Sequence, residues 1–300
     1  MKKILITGAN SFIGTSFEKY IKNHPNSAAY EISVMDTLSG KTVGKEDLPA
    51  WYFEGYDAVF HVAGIAHADV GKVSEEGKDL YRQVNTVLTV DTARKAREAG
   101  VKQFIFMSSA IVYGASGPIG VKKEISINTK PDPENFYGES KLKAEEGLKE
   151  IENEGFKVVI LRPPMIYGPG CKGNYNTLRK FALKLPLFPK VNNERSMLYI
   201  DNLCEFVRLM IDNEENGVFW PANREVTVTS DMVRLIAEAN KKKVRLVGGT
   251  AWMLKIMSHL TGLVNKAFGN LSYDTAITEY KCEYRIVSLE ESIAITEHNI

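Results

Sequence analysis

Ile4-Leu5-Ile6, a short apolar run, breaks into Thr7-Gly8-Ala9-Asn10-Ser11-Phe12-Ile13-Gly14, and this stretch decides the fold of the chain. The apolar run is rich in β-branched residues, as expected for a buried strand. From Phe12 to Ile21 apolar residues recur at helical spacing, so the stretch predicts a strand, a tight turn and a helix. Unpaired amides at such a helix N-terminus favour a bound phosphate.

The turn supplies the first candidate cofactor-binding residues. They are Gly8, Asn10, Ser11, Phe12, Ile13 and Gly14. Ser11 stands where phosphate-binding turns usually have their middle glycine, so we expect a slightly altered fit to the cofactor. A single glycine turn is also compatible with an ordinary strand-to-helix connection.

A second signal follows at the spacing that a dinucleotide requires. The next predicted strand, 30–35, ends in Asp36, about twenty residues beyond the turn, where an acid can hydrogen-bond the adenosine ribose. Its carboxylate would repel a 2′-phosphate, which favours NAD over NADP as the cofactor. The alternative is that Asp36 merely begins a loop.

Strands and helices alternate through the first half of the chain, which predicts a parallel sheet. Further strands are indicated at 57–63, 103–107 and 157–161, and helices at 85–99 and 136–150, the first closed by Gly100. The predicted fold class is α/β, a Rossmann-like doubly wound parallel sheet with a smaller C-terminal substrate lobe. We expect the NAD-binding domain to span 1–164 and the lobe mainly 165–300, with some elements returning to the sheet.

Composition excludes several classes of protein. The 38 basic and 37 acidic residues among 300 give a net charge of +1, so neither nucleic acid nor an anionic membrane is expected as the main partner. The apolar stretch 251–268 contains Lys255 and Lys266. It is too short and too polar to cross a bilayer, so no integral membrane segment is expected and an amphipathic helix is predicted instead.

The cysteines and histidines point to no metal site. Cys171, Cys204 and Cys282 are odd in number and far apart, and fit neither a disulfide framework nor a zinc site. His61 and His67 lie near one another, but no acid or thiol joins them in a ligand pattern. A reducing cytoplasm is the expected compartment.

Candidate chemistry centres on a tyrosine and a lysine that share one helix face. Tyr137 and Lys141 are four residues apart, and Ser109 ends a neighbouring predicted strand. A nearby ammonium is expected to lower the pKa of the phenol, so that Tyr137 can exchange a proton with a substrate hydroxyl. Ser109 can hold the same oxygen, and Lys141 can also hold the nicotinamide ribose. A tyrosine–lysine pair at this spacing is common on surface helices, so its place among the other motifs carries the argument.

These motifs together resemble the extended short-chain dehydrogenase/reductase family, in particular its UDP-glucose 4-epimerase-like branch of nucleotide-sugar epimerases and dehydratases. The resemblance rests on the motifs at 7–14, 57–64, 108–114, 137–141 and 162–170, and on Asn85. It implies that Ser109, Tyr137 and Lys141 are catalytic. It also implies that Asn85 orients the active-site helices and the nicotinamide. Ala63, Gly64 and Pro164 follow predicted strands, where a cofactor binds in such sheets.

The second half carries motifs similar to the substrate lobe of that branch, at 172–175 and 195–203. Arg195 can offer a bidentate cation to a nucleoside diphosphate, and Asn174 an amide hydrogen bond. Tyr175 belongs to the same motif. Simpler interpretations are a surface salt bridge for Arg195 and a turn residue for Asn174.

The chain also departs from the family pattern. Ala110-Ile111 follows Ser109 where 4,6-dehydratases have Asp-Glu, so elimination of water from the sugar is not expected. No Gly-Asp pair precedes a third strand, which removes the usual adenine-contacting acid.

We therefore predict an enzyme that inverts C4 of a UDP-hexose or UDP-N-acetylhexosamine through a 4-keto intermediate, with NAD as cofactor. The alternative is a reductase of a UDP-4-keto-6-deoxy-sugar in surface polysaccharide synthesis. A third hypothesis is a catalytically silent nucleotide-sensing protein. The resemblance also implies a homodimer formed through the helices of Asn85 and Tyr137. The candidate contacts are Val87, Val90, Leu142 and Leu148.

Overall fold

The computed structural model describes residues 1–8, 10–36, 49–66, 73–249 and 268–299. His67 and nearly all of the predicted amphipathic helix at 251–268 lie outside these ranges. Contacts divide the chain into two compact units. Unit 1 comprises Met1–Gly114, Pro131–Arg162 and Cys204–Phe219, and unit 2 comprises Ala115–Lys130, Pro163–Leu203 and Trp220–Ile300.

The strands are short and mostly buried. In chain order they are β1 (Lys2–Thr7), β2 (Tyr30–Met35), β3 (Ala58–His61), β4 (Gln103–Met107), β5 (Glu124–Ile125), β6 (Lys157–Leu161), β7 (Met165–Tyr167), β8 (Leu187–Pro189), β9 (Met197–Tyr199), β10 (Gly217–Phe219), β11 (Arg245–Val247) and β12 (Ser272–Tyr273). The α-helices are α1 (Phe12–Asn23), α2 (Glu75–Arg82), α3 (Leu88–Glu98), α4 (Phe136–Ile151), α5 (Asn174–Lys184), α6 (Ile200–Asp212), α7 (Thr229–Ala239), α8 (Thr275–Thr278) and α9 (Leu289–His298).

Unit 1 is built on a six-stranded parallel sheet of order β10-β6-β4-β3-β1-β2. Every residue of β3 and β4 is buried, as expected for strands covered on both faces. From β1 the chain passes to β2 on one side and then returns to pair β3 on the other. The strand order therefore reverses at β1 and β3, the position at which such sheets bind ligands. The predicted Rossmann-like class is confirmed.

Local sequence explains where the main elements begin and end. Ser11 and Asn135 cap α1 and α4 by accepting hydrogen bonds from the amides of Gly14 and Gly138. Gly100 has a φ of +84° after α3, which confirms the predicted left-handed C-terminal cap. These caps fix the helix ends relative to the strands that precede them.

The predicted helix at 85–99 begins earlier than its sequence pattern indicated. Helix α2 starts at Glu75 after a Ser74 cap, and a single π turn, Gln83–Val87, joins it to α3. Tyr81 is the one buried side chain of α2, so no apolar stripe reveals this part of the helix. π turns are frequent at functional sites, and this one contains Asn85.

The described part of unit 2 contains α-helices and three small parallel strand pairs, β5–β12, β7–β9 and β8–β11. The two units alternate along the chain, since 115–130 belongs to unit 2 and 204–219, which includes β10, belongs to unit 1. Within the ranges that the structure describes, no helix is both long and apolar enough to cross a membrane.

Candidate active site

The glycine turn after β1 lies at the switch point of the sheet. Gly8 has a φ of +91°, and a Cβ atom there would lie 2.8 Å from the backbone nitrogen of Ala63. Only glycine fits so close to another backbone. A Cβ atom on Gly14 would lie 3.0 Å from the carbonyl oxygen of Gly8 and 3.2 Å from the Val62 side chain. The turn is thus held tightly between the carboxyl ends of β1 and β3.

Ser11 caps helix α1 at the position where related turns have glycine. Its φ of −78° and ψ of 149° are open to any residue, so the backbone does not require glycine here. Its hydroxyl accepts a hydrogen bond from the Gly14 amide at 3.0 Å. A phosphate would therefore meet the amides that precede Gly14 in the first turn of α1.

Asp36 lies where the spacing predicted. It is exposed directly after β2, and its carboxylate accepts a hydrogen bond from the Asn10 amide at 3.3 Å. Two predicted cofactor-binding residues from separate loops are thus brought together above adjacent strands. An acid at this place in such a sheet can hydrogen-bond the ribose of a dinucleotide.

Gly64, Asn85 and Lys141 converge beyond the end of β3. A Cβ atom on Gly64 would lie 3.1 Å from Asn85 Oδ1 and 3.3 Å from Lys141 Nζ. Asn85 Oδ1 accepts from the Ile65 amide at 2.8 Å, while its Nδ2 donates to the Ile65 carbonyl and to Ser140 Oγ, each at 3.1 Å. Asn85 therefore ties the loop after β3 to the helix that carries Tyr137.

The Ser109 side chain lies beside the buried Tyr137 phenol and lowers its pKa. Tyr137 lies in the first turn of α4, and this turn packs closely on the segment after Ser109. A Cβ atom on Gly138 would lie 2.8 Å from the Ile111 carbonyl oxygen. Gly138 was not singled out in the sequence, although a glycine next to the candidate tyrosine was the available signal.

Lys141 lies one helical turn beyond Tyr137, but its ammonium group is engaged elsewhere. Its Nζ donates to the Met107 carbonyl at 2.8 Å and lies 4.7 Å from the centre of the Phe106 ring. Burial lowers the pKa of Lys141 to about 8, and the nearby Glu145 carboxylate opposes this shift.

The expectation that Lys141 lowers the pKa of Tyr137 is wrong for this structure. Desolvation raises the pKa of the Tyr137 phenol to about 12, and the neighbouring Ser109 only partly offsets this rise. The Lys141 ammonium is not among the groups that lower this pKa, and it donates to the Met107 carbonyl instead.

Sequence reasoning missed a buried ionic network behind Lys141. Arg162 donates to both carboxylate oxygens of Glu145, at 3.1 and 3.2 Å from Nε, and to the Tyr113 hydroxyl at 2.6 Å. Ser108 Oγ donates to the same carboxylate. Glu145 follows Lys141 at the spacing that separates Lys141 from Tyr137, so a third residue on this helix face was the available signal.

His61 takes part in a hydrogen-bond chain, and not in a recognisable metal site. Thr89 Oγ1 donates to the Asn85 carbonyl at 2.9 Å, so it accepts from His61 Nε2 at 3.0 Å, and His61 Nδ1 accepts from Thr7 at 2.8 Å. Burial lowers the pKa of His61 to about 3, which keeps the ring neutral. Among the described side chains no group of three metal-ligating residues occurs.

Unit 2 contains a pocket with about 670 Å³ of empty space, part of it open to solvent. Asn174 and Arg195 line it, together with Met165, Phe181 and Met197. Burial lowers the pKa of the Arg195 guanidinium. The pocket thus offers a cation and an amide within a largely apolar lining.

Two other predicted residues of unit 2 have different surroundings. Tyr175 is buried, stacks on Tyr167 with ring centres 5.4 Å apart, and donates its hydroxyl to Glu297 at 2.9 Å. It is not one of the residues that line the pocket. Pro164 is buried shortly after β6.

A doubly wound parallel sheet with a glycine turn at its switch point is typical of nucleotide-binding proteins of the Rossmann-like class. The model of the NAD dependent epimerase/dehydratase family matches residues 4–220, and the chain belongs to this family of extended short-chain dehydrogenases/reductases. This confirms both the predicted family and the predicted cofactor, NAD.

Individual relatives agree with this assignment. The chain is 31% identical to a UDP-glucose 4-epimerase of Vibrio cholerae over 93% of its own length and 89% of the relative's. It is 28% identical to an N-acetyl-alpha-D-glucosaminyl-diphospho-ditrans,octacis-undecaprenol 4-epimerase of Escherichia coli O157:H7, over 86% and 81%. The fold resembles that of a UDP-glucuronic acid 4-epimerase from Bacillus cereus solved with NAD, with a TM-score of 0.74, 19% identity and coverage of 99% and 98%.

Proposed function

We propose that this protein inverts C4 of a UDP-hexose or UDP-N-acetylhexosamine through a 4-keto intermediate. The observation that supports this most directly is the position of Ser109 beside the Tyr137 phenol, one helical turn from Lys141. Such a pair can bind a single sugar hydroxyl and move its proton. The epimerase relatives support the same reaction class.

The chain offers a fitting set of groups for NAD. The tight backbone approach at Gly8 and the first amides of α1 suit the pyrophosphate, and Asp36 suits the ribose. Asn85 and Lys141 would hold the nicotinamide end. When bound, NAD supplies a hydride acceptor for C4 and a positively charged ring.

The protein residues then have distinct tasks. Tyr137 accepts the proton of the C4 hydroxyl and later returns it, while Ser109 keeps that oxygen in place. At a pKa of about 12 the phenol is protonated near neutral pH, which suits the returning step. Accepting a proton requires a positive charge near the phenol to lower this pKa in the loaded enzyme.

We propose that Asn174 and Arg195 bind the nucleoside diphosphate of the substrate in the pocket of unit 2. Arg195 can offer two parallel donors to a diphosphate. Tyr175 would act indirectly, since its hydroxyl is bound to Glu297. Its role is then to fix the start of α5, next to Asn174.

The test is the fate of hydride from a substrate that carries deuterium at C4. An epimerase yields the C4 epimer with the label retained and without net NADH. The alternative reductase leaves UDP-hexoses and UDP-N-acetylhexosamines unchanged and oxidises one equivalent of added NAD(P)H per 4-keto sugar reduced. That outcome would replace the epimerase proposal, and inactivity on both would favour a silent nucleotide-binding protein.

The assignment of Tyr137 is tested separately. Tyr137→Phe should lower turnover roughly 10²- to 10⁴-fold with NAD affinity nearly unchanged, because it removes the hydroxyl and little binding surface. Tyr52→Phe, at an exposed tyrosine of the same unit, is the matched control and should retain full activity. A Tyr137→Phe variant with more than about half of the activity would contradict the proposed role.

We further propose a homodimer in a reducing cytoplasm. Of the four candidate contacts, Val87 is 37% exposed, whereas Leu148 lies in the core of unit 1 and Val90 packs against that core. Leu142 is half-buried, so Val87 is the candidate contact with an exposed side chain. Cys171, Cys204 and Cys282 form no disulfide bond with one another.

A further inference from the structure

The near-zero net charge of the chain conceals a strong separation of charge between its two units. By sequence, unit 2 contains 19 basic and 12 acidic residues, a formal charge of +7. Unit 1 contains 19 basic and 25 acidic residues, a formal charge of −6. The overall value of +1 therefore says little about what either unit attracts.

Within unit 2 the positive charge is concentrated in two stretches of sequence. No aspartate or glutamate occurs from Pro163 to Asn193 or from Ala239 to Tyr273, while these stretches contain five and six basic residues. The structure brings parts of both together through the parallel pair β8–β11, in which Leu187 is opposite Arg245 and Pro189 is opposite Val247. We call residues 184–190 and 241–247 the basic edge.

The basic edge exposes cations and aliphatic side chains side by side. Lys184, Lys190, Lys243 and Arg245 are exposed. None of these four forms an ion pair with a carboxylate in the described part of the chain. Leu187 is 55% exposed and Val247 36%. Exposure of these aliphatic groups to water is unfavourable. The surrounding cations would repel another basic surface.

A buried residue, Phe188, fixes which side chains of the basic edge are exposed. Phe188 lies between Leu187 and Pro189, is 2% exposed, and packs on Phe181 and Phe268 with ring centres 5.9 and 5.6 Å apart. Because neighbouring strand residues point to opposite faces, burial of Phe188 directs Leu187 outward. Lys242 also donates to the Leu183 carbonyl at 2.9 Å, which ties the two halves of the edge together.

We propose that the basic edge binds the anionic surface of a phospholipid bilayer. Clustered lysines are attracted to acidic headgroups, and aliphatic side chains among them can enter the boundary between headgroups and acyl chains. A nucleic acid would use the cations but leave Leu187 and Val247 without a favourable contact. Phe181 also lines the pocket of unit 2, so a bilayer bound here would lie near that pocket.

The test is flotation of the whole protein with vesicles, a readout that does not depend on the proposed enzyme activity. Wild-type protein should float with vesicles of phosphatidylcholine and phosphatidylglycerol and not with phosphatidylcholine alone, and added salt should weaken the binding. The triple variant K184Q/K190Q/K243Q should reduce the vesicle partition coefficient by about 100-fold, because each lysine near an acidic surface contributes about five-fold. Leu187→Ser should also reduce it.

The matched control is K19Q/K102Q/K149Q, which removes three exposed lysines from unit 1 and should leave vesicle binding unchanged. Equal losses in both triple variants would overturn the proposal, because they would indicate a general charge effect. So would absence of binding to acidic vesicles at physiological salt. Binding to double-stranded DNA or polyglutamate that is as strong as to vesicles and insensitive to Leu187→Ser would identify a polyanion surface and also overturn it.

Discussion

Replacing Lys141 by methionine should make the protein more stable while it abolishes catalysis. Lys141 is only 6% exposed, and burial lowers its pKa from 10.5 to about 8. Each pKa unit corresponds to about 1.36 kcal/mol, so the buried ammonium costs about 3 kcal/mol at pH 7. The variant also loses the hydrogen bond to the Met107 carbonyl, which stabilises the wild type by about 1 kcal/mol. The expected net gain for Lys141→Met is therefore about 2 kcal/mol.

The pH dependence gives this prediction its specific signature. Below pH 8 the lysine is charged in both the folded and the unfolded chain, and the full burial cost applies. Between pH 8 and 10.5 the folded protein loses the proton first, so wild-type stability rises relative to the variant. At pH 10 the cost of burying Lys141 falls to about 1 kcal/mol, and its hydrogen bond to the Met107 carbonyl offsets that cost.

The assay is urea unfolding of cofactor-free wild type and variant, followed by circular dichroism at pH 7 and pH 10. Lys143→Met, at an exposed lysine of the same helix, is the matched control and should change stability little at either pH. A variant less stable than wild type at pH 7, or a difference independent of pH, would refute the reasoning.

The remaining predictions concern the cofactor, the buried network and assembly. Asp36→Ala should narrow the preference for NAD over NADP by removing repulsion of the 2′-phosphate, and calorimetric titration of both nucleotides measures it; equal affinities in the wild type would contradict this role. Glu145→Gln should cost about 3–5 kcal/mol because it leaves the Arg162 charge buried without its carboxylate partner. E145Q/R162M should recover most of that loss in urea unfolding, and a double variant as unstable as the single one would count against the prediction. Val87→Asp should convert the proposed dimer to a monomer by light scattering, and a wild type that is already monomeric at micromolar concentration would disprove it.

The candidate active site combines groups that oppose stability with a network that holds them. Tyr137, Lys141 and Glu145 follow one another at four-residue spacing along α4, and Glu145 is bound to Arg162 directly after β6. The ionic network thus fixes the middle of α4 against the sheet. This arrangement can keep a desolvated lysine in place, since the pair Glu145–Arg162 is itself neutral overall.

The amino-acid sequence by itself determined the features that depend on neighbouring residues. The strand, turn and helix at 2–23, the acid at Asp36, and the common helix face of Tyr137 and Lys141 all follow from spacing along one element. Such local patterns can be read directly because strand and helix periods fix which side chains share a face. The family resemblance rests on the same short motifs and was confirmed by the match over 4–220.

Only the tertiary structure decided what those residues experience. The pKa of Tyr137 moves upward and not downward, because burial depends on segments far apart in sequence. Tyr175 is bound to Glu297, and Ser11 proves compatible with its backbone conformation. The basic edge exists because β8 and β11 pair across more than fifty residues of chain. Desolvation and clustering of charge depend on distances in space, and the amino-acid composition contains no information on those distances.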